Sequence, residues 1–181
     1  MVGTEARFAH PTDLFPSFDQ RQLMPKIDQG ALVIRSRSTY PEPFDRIVDG
    51  REWQSLGDGA GLTQFGVNLF RLKPGAASSA RHWHEQEDEF VYMVEGELVL
   101  IEDEGETVIR PGEAAGFKAG VPNGHHLVNR TDRDAVFLAV GTRAQRERCH
   151  YSDIDLVHEQ DGDRYRLTHK SGAPYGDWQL G

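Results

Sequence analysis

The sequence predicts an all-β domain, a barrel or sandwich of short strands, on three observations. Short apolar runs recur between Leu62 and Thr142, turn residues stand between them, and no run keeps the 3.6-residue spacing of an amphipathic helix. In order the predicted strands are 63–72, 80–83, 89–94, 97–101, 106–109, 114–117, 125–129 and 135–140. The joints are Lys73-Pro74-Gly75, Glu95-Gly96, Glu104-Gly105, Pro111-Gly112 and Pro122-Asn123-Gly124. Each joint supplies the restricted or positive φ that a tight turn needs.

The flanks differ in texture. Residues 1–61 hold many breakers, Pro11, Pro16, Pro25, Pro41 and Pro43 and then Gly57, Gly59 and Gly61, with one strand-like run at 31–35. They read as an irregular N-terminal arm with one or two strands. The barrel core is 62–142. Beyond it, 143–181 is polar with one alternating stretch at 164–168, a C-terminal arm expected to pack on the barrel or on a partner subunit.

Length and charge narrow the function. At 181 residues one domain is expected. The 20 Lys plus Arg against 29 Asp plus Glu, a net charge of −9 with the basic residues scattered, argue against nucleic acid or an anionic membrane as partner. No apolar stretch has the roughly 20 residues of a membrane span. The polar first seven residues show no secretory signal, so a soluble, cytoplasmic protein is expected. The single cysteine, Cys149, excludes an internal disulfide and reads as a small buried hydrophobe.

The chemistry concentrates between Gly75 and Gly96. On a strand, His82 and His84 point to one face because side chains alternate with period two. After a four-residue turn, Glu89 opens a strand that sets Glu89, Val91 and Met93 on one face and Phe90, Tyr92 and Val94 on the other. Two imidazoles and a carboxylate suit a first-row divalent ion better than calcium, which prefers oxygen alone. Taken alone, the pair also fits two surface histidines on an edge strand beside one more acid of the run from Glu85 to Glu89.

A second segment, from Gly112 to Asn129, adds His125 and His126. With it the chain resembles the cupin superfamily. That family's first motif is a glycine, His-x-His, a glutamate after three or four intervening residues, and a glycine after six more. Gly75, His82, His84, Glu89 and Gly96 match it with one extra residue before the first histidine. The second motif sets a histidine three intervening residues before an asparagine, as His125 and Asn129 stand here. Two departures are Lys118 in place of a usual proline and Asn123-Gly124 as an insertion before the histidine. The resemblance covers 75–142, and within the family it is to single-domain bacterial cupins, some labelled sugar-phosphate isomerases.

The resemblance implies a double-stranded β-helix, the jelly-roll cupin barrel, with one divalent transition metal (iron, manganese, nickel, zinc or copper) held by His82, His84, Glu89 and His125. His126 competes with His125, since neighbours on a strand face opposite ways. His10, His150, His158 and His169 lack ligand spacing and read as surface or packing residues. The expected function is a metal-dependent enzyme acting on a small molecule, with dioxygenase, lyase, isomerase and hydrolase all open; the alternative is a binding or sensing module without turnover. No catalytic residue is assigned. Tyr92 or Tyr151 could serve as acid or base only if turned inward, and parity turns Tyr92 away. A sugar-phosphate isomerase needs a basic cluster, and Arg71, Arg81 and Lys118 are dispersed. A homodimer is expected, its terminal arms, with Phe8, Phe15, Phe18, Trp53, Tyr165 and Trp178, covering exposed strand edges.

Overall fold

The structure, a computed structural model, describes residues 26–176; His10, Phe8, Phe15, Phe18 and Trp178 therefore lie outside it. Among the described residues one layer is a five-stranded antiparallel sheet. Its strands are β1 (Arg51–Ser55), β2 (Phe65–Leu72), β4 (Glu89–Glu95), β7 (Ala114–Phe117) and β9 (Ala135–Thr142), in the order β1-β2-β9-β4-β7. The facing layer has two parts. One is β5 (Leu98–Glu102) between β6 (Gly105–Ile109) and β8 (His126–Val128). The other runs from β3 (His82–His84) through β10 (Arg146–Tyr151) and β11 (Val157–Asp161) to β12 (Arg164–Thr168). A single bridge, His82 to His125, joins the two parts, so the histidine motifs are themselves the seam of the second layer. The result is the all-β barrel that the alternating pattern predicts and the jelly roll that the resemblance implies.

Alternation explains the packing. On β4, Val91 and Met93 are buried while Phe90, Tyr92 and Val94 are exposed, so one strand serves core and surface by parity. Leu72, Met93, Leu98, Leu127 and Phe137 meet between the layers as the main core. A second cluster of Tyr40, Val48, Ala80, Tyr151, Leu156 and Leu167 closes one end, where residues before β1 meet the last strands. Within the described residues the arms thus fold back on their own barrel. Tyr40 packs edge-on to Tyr151 and Phe44 to Tyr175. Trp53 stacks on Phe70 and Tyr165 on His158.

Three local departures from the sequence pattern have physical reasons. Residues 31–35 do not form a strand. Asp28 Oδ1 accepts a bond from Gly30 N at 3.1 Å and starts a 3-10 turn, after which only Arg35 pairs, with Trp53, and Val33 and Ile34 stay exposed. Strand β1, Arg-Glu-Trp-Gln-Ser, hides because its one apolar residue cannot show a period. In β10 the inward positions are Glu147, Cys149 and Tyr151, and an inward carboxylate masks the alternation. Cys149 is buried as expected.

Candidate metal centre

β3 is only three residues long, and its parity sends Trp83 outward onto the His150 ring, 4.3 Å away, while His82 and His84 turn inward. Glu89 begins β4 across the barrel mouth. His125 precedes β8 and is tied to His82 by reciprocal backbone bonds, His82 N to His125 O at 3.1 Å and His125 N to His82 O at 2.9 Å. Three imidazole Nε2 atoms consequently point at one carboxylate oxygen. Glu89 Oε2 lies 3.1 Å from His125 Nε2, 3.6 Å from His82 Nε2 and 3.9 Å from His84 Nε2. The ligand-capable atoms of His82, Glu89 and His125 all fall within 4.8 Å of one another.

Two rings are fixed in one tautomer. His82 Nδ1 is 3.0 Å from Ala80 O, and His125 Nδ1 is 3.1 Å from Asn123 O. A carbonyl only accepts, so each Nδ1 carries the proton and each Nε2 turns a lone pair toward Glu89. Phe117 clamps the His125 ring face to face at 3.5 Å. Lone pairs converging on a carboxylate repel unless a proton or cation sits among them, and this donor set fits a first-row divalent ion. Burial lowers the His82 pKa. For Glu89 burial works upward, but with a proton in place of an ion on the Nε2 side of His125 and His82, their hydrogen bonds hold the carboxyl well below the usual range.

The structure brings all four sequence-selected residues, His82, His84, Glu89 and His125, to one place. His126 lines the inner cavity but does not join the ligand-atom cluster at Glu89, its Nδ1 lying 2.9 Å from Ser79 O. Asn123-Gly124 pins the strand instead of shifting it: Asn123 accepts from Asp103 N and donates to Glu102 Oε1, and Gly124 lies against Ser152. Asn129, fully buried, donates to Leu72 O and Arg133 O and so builds the turn after β8. Tyr92 faces out as parity requires. Tyr151 turns inward with its ring 5.9 Å from His82, yet it belongs to the second cluster and lines neither cavity at the site. His150 and His169 pair with Glu85 and Asp155, and His158 packs against Tyr165. Sequence reasoning missed Phe117 and Glu147; only the latter, a nearly fully buried carboxylate on β10, leaves a signal, as an acid at an inward position.

Two cavities meet at Glu89. The inner one, about 160 Å³, is walled by Phe70, Val91, Leu100, Phe117 and Phe137 with Ser78, Ser79 and the histidines. The outer one, about 250 Å³, mixes polar groups, Asn68, His84, Glu87, Asp88, Thr142 and Arg143, with Phe70 and Ala139. The expected basic candidates do not converge here. Arg71 pairs with Asp134, Arg81 with Asp103 and Asp153, and Lys118 is exposed.

A family profile described as a Cupin domain matches residues 68–141. A solved structure of a sugar phosphate isomerase from a cupin superfamily, from Silicibacter pomeroyi, is 50% identical over 87% of this chain and 100% of that one, with a TM-score of 0.81. The chain belongs to the cupin superfamily. This cupin also resembles a protein of Acidithiobacillus ferrooxidans named provisionally as a sugar phosphate isomerase, 26% identical over 72% of this chain and 80% of that one, TM-score 0.63. It shares its fold with a polyketide cyclase of Streptomyces resistomycificus, 22% identical over 66% of this chain and 80% of that one, TM-score 0.54. No curated protein matches this cupin. Among its described residues no helix is long and apolar enough to cross a membrane.

Proposed function

We propose that this cupin is a metal-dependent enzyme acting on a small molecule, with His82, His84, Glu89 and His125 as ligands of one divalent ion (iron, manganese, nickel, zinc or copper). The observation that carries this is the aim of three Nε2 atoms at Glu89 Oε2 where two cavities meet. When bound, such an ion polarises a ligand oxygen and lowers the pKa of coordinated water. The chain's own part is placement. The largely apolar inner cavity takes an apolar body, while the outer cavity, with more polar groups on its wall, admits an oxygen-bearing end. The isomerase name of two relatives points to a sugar phosphate. Against a phosphate in this site, the arginine at the outer cavity, Arg143, is already paired with Asp58. That favours an oxygen-bearing substrate without a phosphate, and leaves dioxygenase, lyase, isomerase and hydrolase chemistry to be separated by assay. A cytoplasmic location suits its unpaired cysteine.

Protein purified without an affinity tag should contain about one transition metal ion per chain by elemental analysis. A screen of sugar phosphates and of small diols and carbonyl compounds, in air and under nitrogen, should then give metal-dependent turnover among the unphosphorylated compounds. Absence of metal defeats the proposal. Metal with ligand binding but no turnover makes the protein a binding or sensing cupin instead.

We also read the chain as a homodimer, through a sheet face in place of exchanged arms. On the outer side of the five-stranded sheet, Val67, Val140 and Phe90 are successive cross-strand neighbours, as are Leu69, Leu138 and Tyr92. An outer sheet face in a monomer is normally polar. Five strands about 4.8 Å apart and six residues of about 3.3 Å give roughly 500 Å² a side, near the threshold of about 1,000 Å² in total for a biological interface. Two chains of charge −9 repel over most of their surface but can approach on this apolar face. Light scattering should give twice 20.4 kDa, and Leu138→Glu with Tyr92→Glu should give 20.4 kDa with metal content unchanged. A monomeric wild type defeats this reading.

A further inference from the structure

Glu147 is a carboxylate on the inner side of a barrel, and it is nearly fully buried: its side chain keeps 2% of its exposure. Strand parity puts it there. Cys149 lies directly across from His84 and Tyr151 from His82, so Glu147, two residues before Cys149, shares their face just beyond the end of β3. A buried charge is strongly unfavourable unless its lone pairs are satisfied. Two successive backbone amides satisfy part of the need, Glu85 N at 3.0 Å from Oε1 and Gln86 N at 2.9 Å from Oε2.

The third neighbour is the imidazole of His84. Its Nδ1 stands 3.4 Å from Glu147 Oε1, about half an ångström beyond an ordinary N–H···O bond, and it is a buried polar atom with no hydrogen bond of its own. His82 and His125 each have a backbone carbonyl at Nδ1. Of the three rings whose Nε2 faces Glu89, His84 alone meets a carboxylate there instead.

We propose that Glu147 is a positioning residue of the metal centre: it takes the Nδ1 proton of His84 in a hydrogen bond, aims His84 Nε2 at the site, and sets a second negative charge behind the ion. This rests on the metal reading above. The charge of a divalent ion is then balanced by Glu89 on one side and Glu147 on the other. A carboxylate behind a ligand imidazole also makes that ring a stronger donor. The same side chain holds the first two residues after β3, so β10 sets the spacing between His84 and Glu89. Strand β10 belongs to the polar tail of the sequence, outside both histidine motifs, and yet controls the geometry of one of them.

The test uses wild type, Glu147→Gln and Glu147→Ala, each loaded separately with Co²⁺ and with Zn²⁺. Affinity is measured by chelator competition, the coordination by the visible Co²⁺ spectrum, and the metal-free fold by its melting temperature. Glu147→Gln keeps the shape and one amide acceptor and should bind about tenfold more weakly, Glu147→Ala up to about a hundredfold. The Co²⁺ bands should shift in both, and metal-free Glu147→Gln should melt below wild type but still cooperatively, since its NH2 replaces the acceptor of one backbone amide. Should Glu147→Ala fail to fold, Glu147→Gln carries the test alone. Affinity within twofold of wild type with an unchanged Co²⁺ spectrum overturns the proposal, whether or not the melting temperature falls, because the carboxylate then only braces the turn. A wild type that takes up neither ion overturns the metal reading and this proposal together; a wild type that loads beside an equally tight Glu147→Gln overturns this proposal alone.

Discussion

Glu89→Ala should leave the protein folded and without stoichiometric metal. Among the described residues Glu89 is the only carboxylate toward which His82, His84 and His125 all turn their Nε2 atoms, so its loss removes the one ligand charge of the set. The effect should exceed the 10- to 100-fold typical of a residue behind a ligand. Circular dichroism should be unchanged, since Glu89 is held at the barrel mouth and contributes no apolar surface to the main core. His125→Ala should lose metal to a similar extent. His126→Ala, which forfeits only a bond to Ser79 O, should keep it. The reverse order for the two histidines would show that the strand faces the other way in solution. Metal stabilises the form that binds it, by about 2.7 kcal/mol when free metal is 100 times Kd. A chelator should therefore lower the melting temperature of wild type and leave that of Glu89→Ala where it was.

Gly96→Ala should be among the most destabilising substitutions in the barrel. Gly96 turns the chain from β4 to β5 at φ +77°, a conformation that burdens other residues by roughly 1–2 kcal/mol. A Cβ there would also stand 2.8 Å from Ala135 Cα, 2.8 Å from Asp134 O and 2.9 Å from Ala135 Cβ. None of those atoms ends a flexible side chain, so β9 itself must move. Together the two effects should remove about 3–4 kcal/mol, a large share of the roughly 5–15 kcal/mol that holds a domain together. Gly75→Ala supplies the control. It has a similar φ of +82° but nothing within 4 Å of the added carbon, so only the conformational part should be lost. Urea denaturation of the two variants compares them, and equal midpoints would mean that β9 yields without resistance.

Both glycines stand out in the sequence because turn chemistry suffices for them, and the four residues proposed as ligands stand out through their match to the two cupin motifs. Period-two alternation alone turns His82 and His84 the same way and separates Glu89, Val91 and Met93 from Phe90, Tyr92 and Val94. Turn chemistry marks where strands end. Choosing His125 over His126 needed the spacing to Asn129, whose role became clear only in space, as the buried donor that shapes the turn after β8. The rest of the centre is nonlocal. Glu147 reaches Glu85 across 62 positions and Phe117 lies eight residues before the ring it clamps, in a different sheet from the strand that follows that ring. No periodicity announces such contacts, and a glutamate on a strand ordinarily reads as a solvent-facing residue. What the chain by itself determined was the strand pattern, the turns and the two motifs from which the ligands are proposed. What the tertiary structure alone decided was which strands from the polar flanks complete the barrel and which buried groups hold the imidazoles in place, because those depend on packing between segments far apart in sequence and not on any local preference.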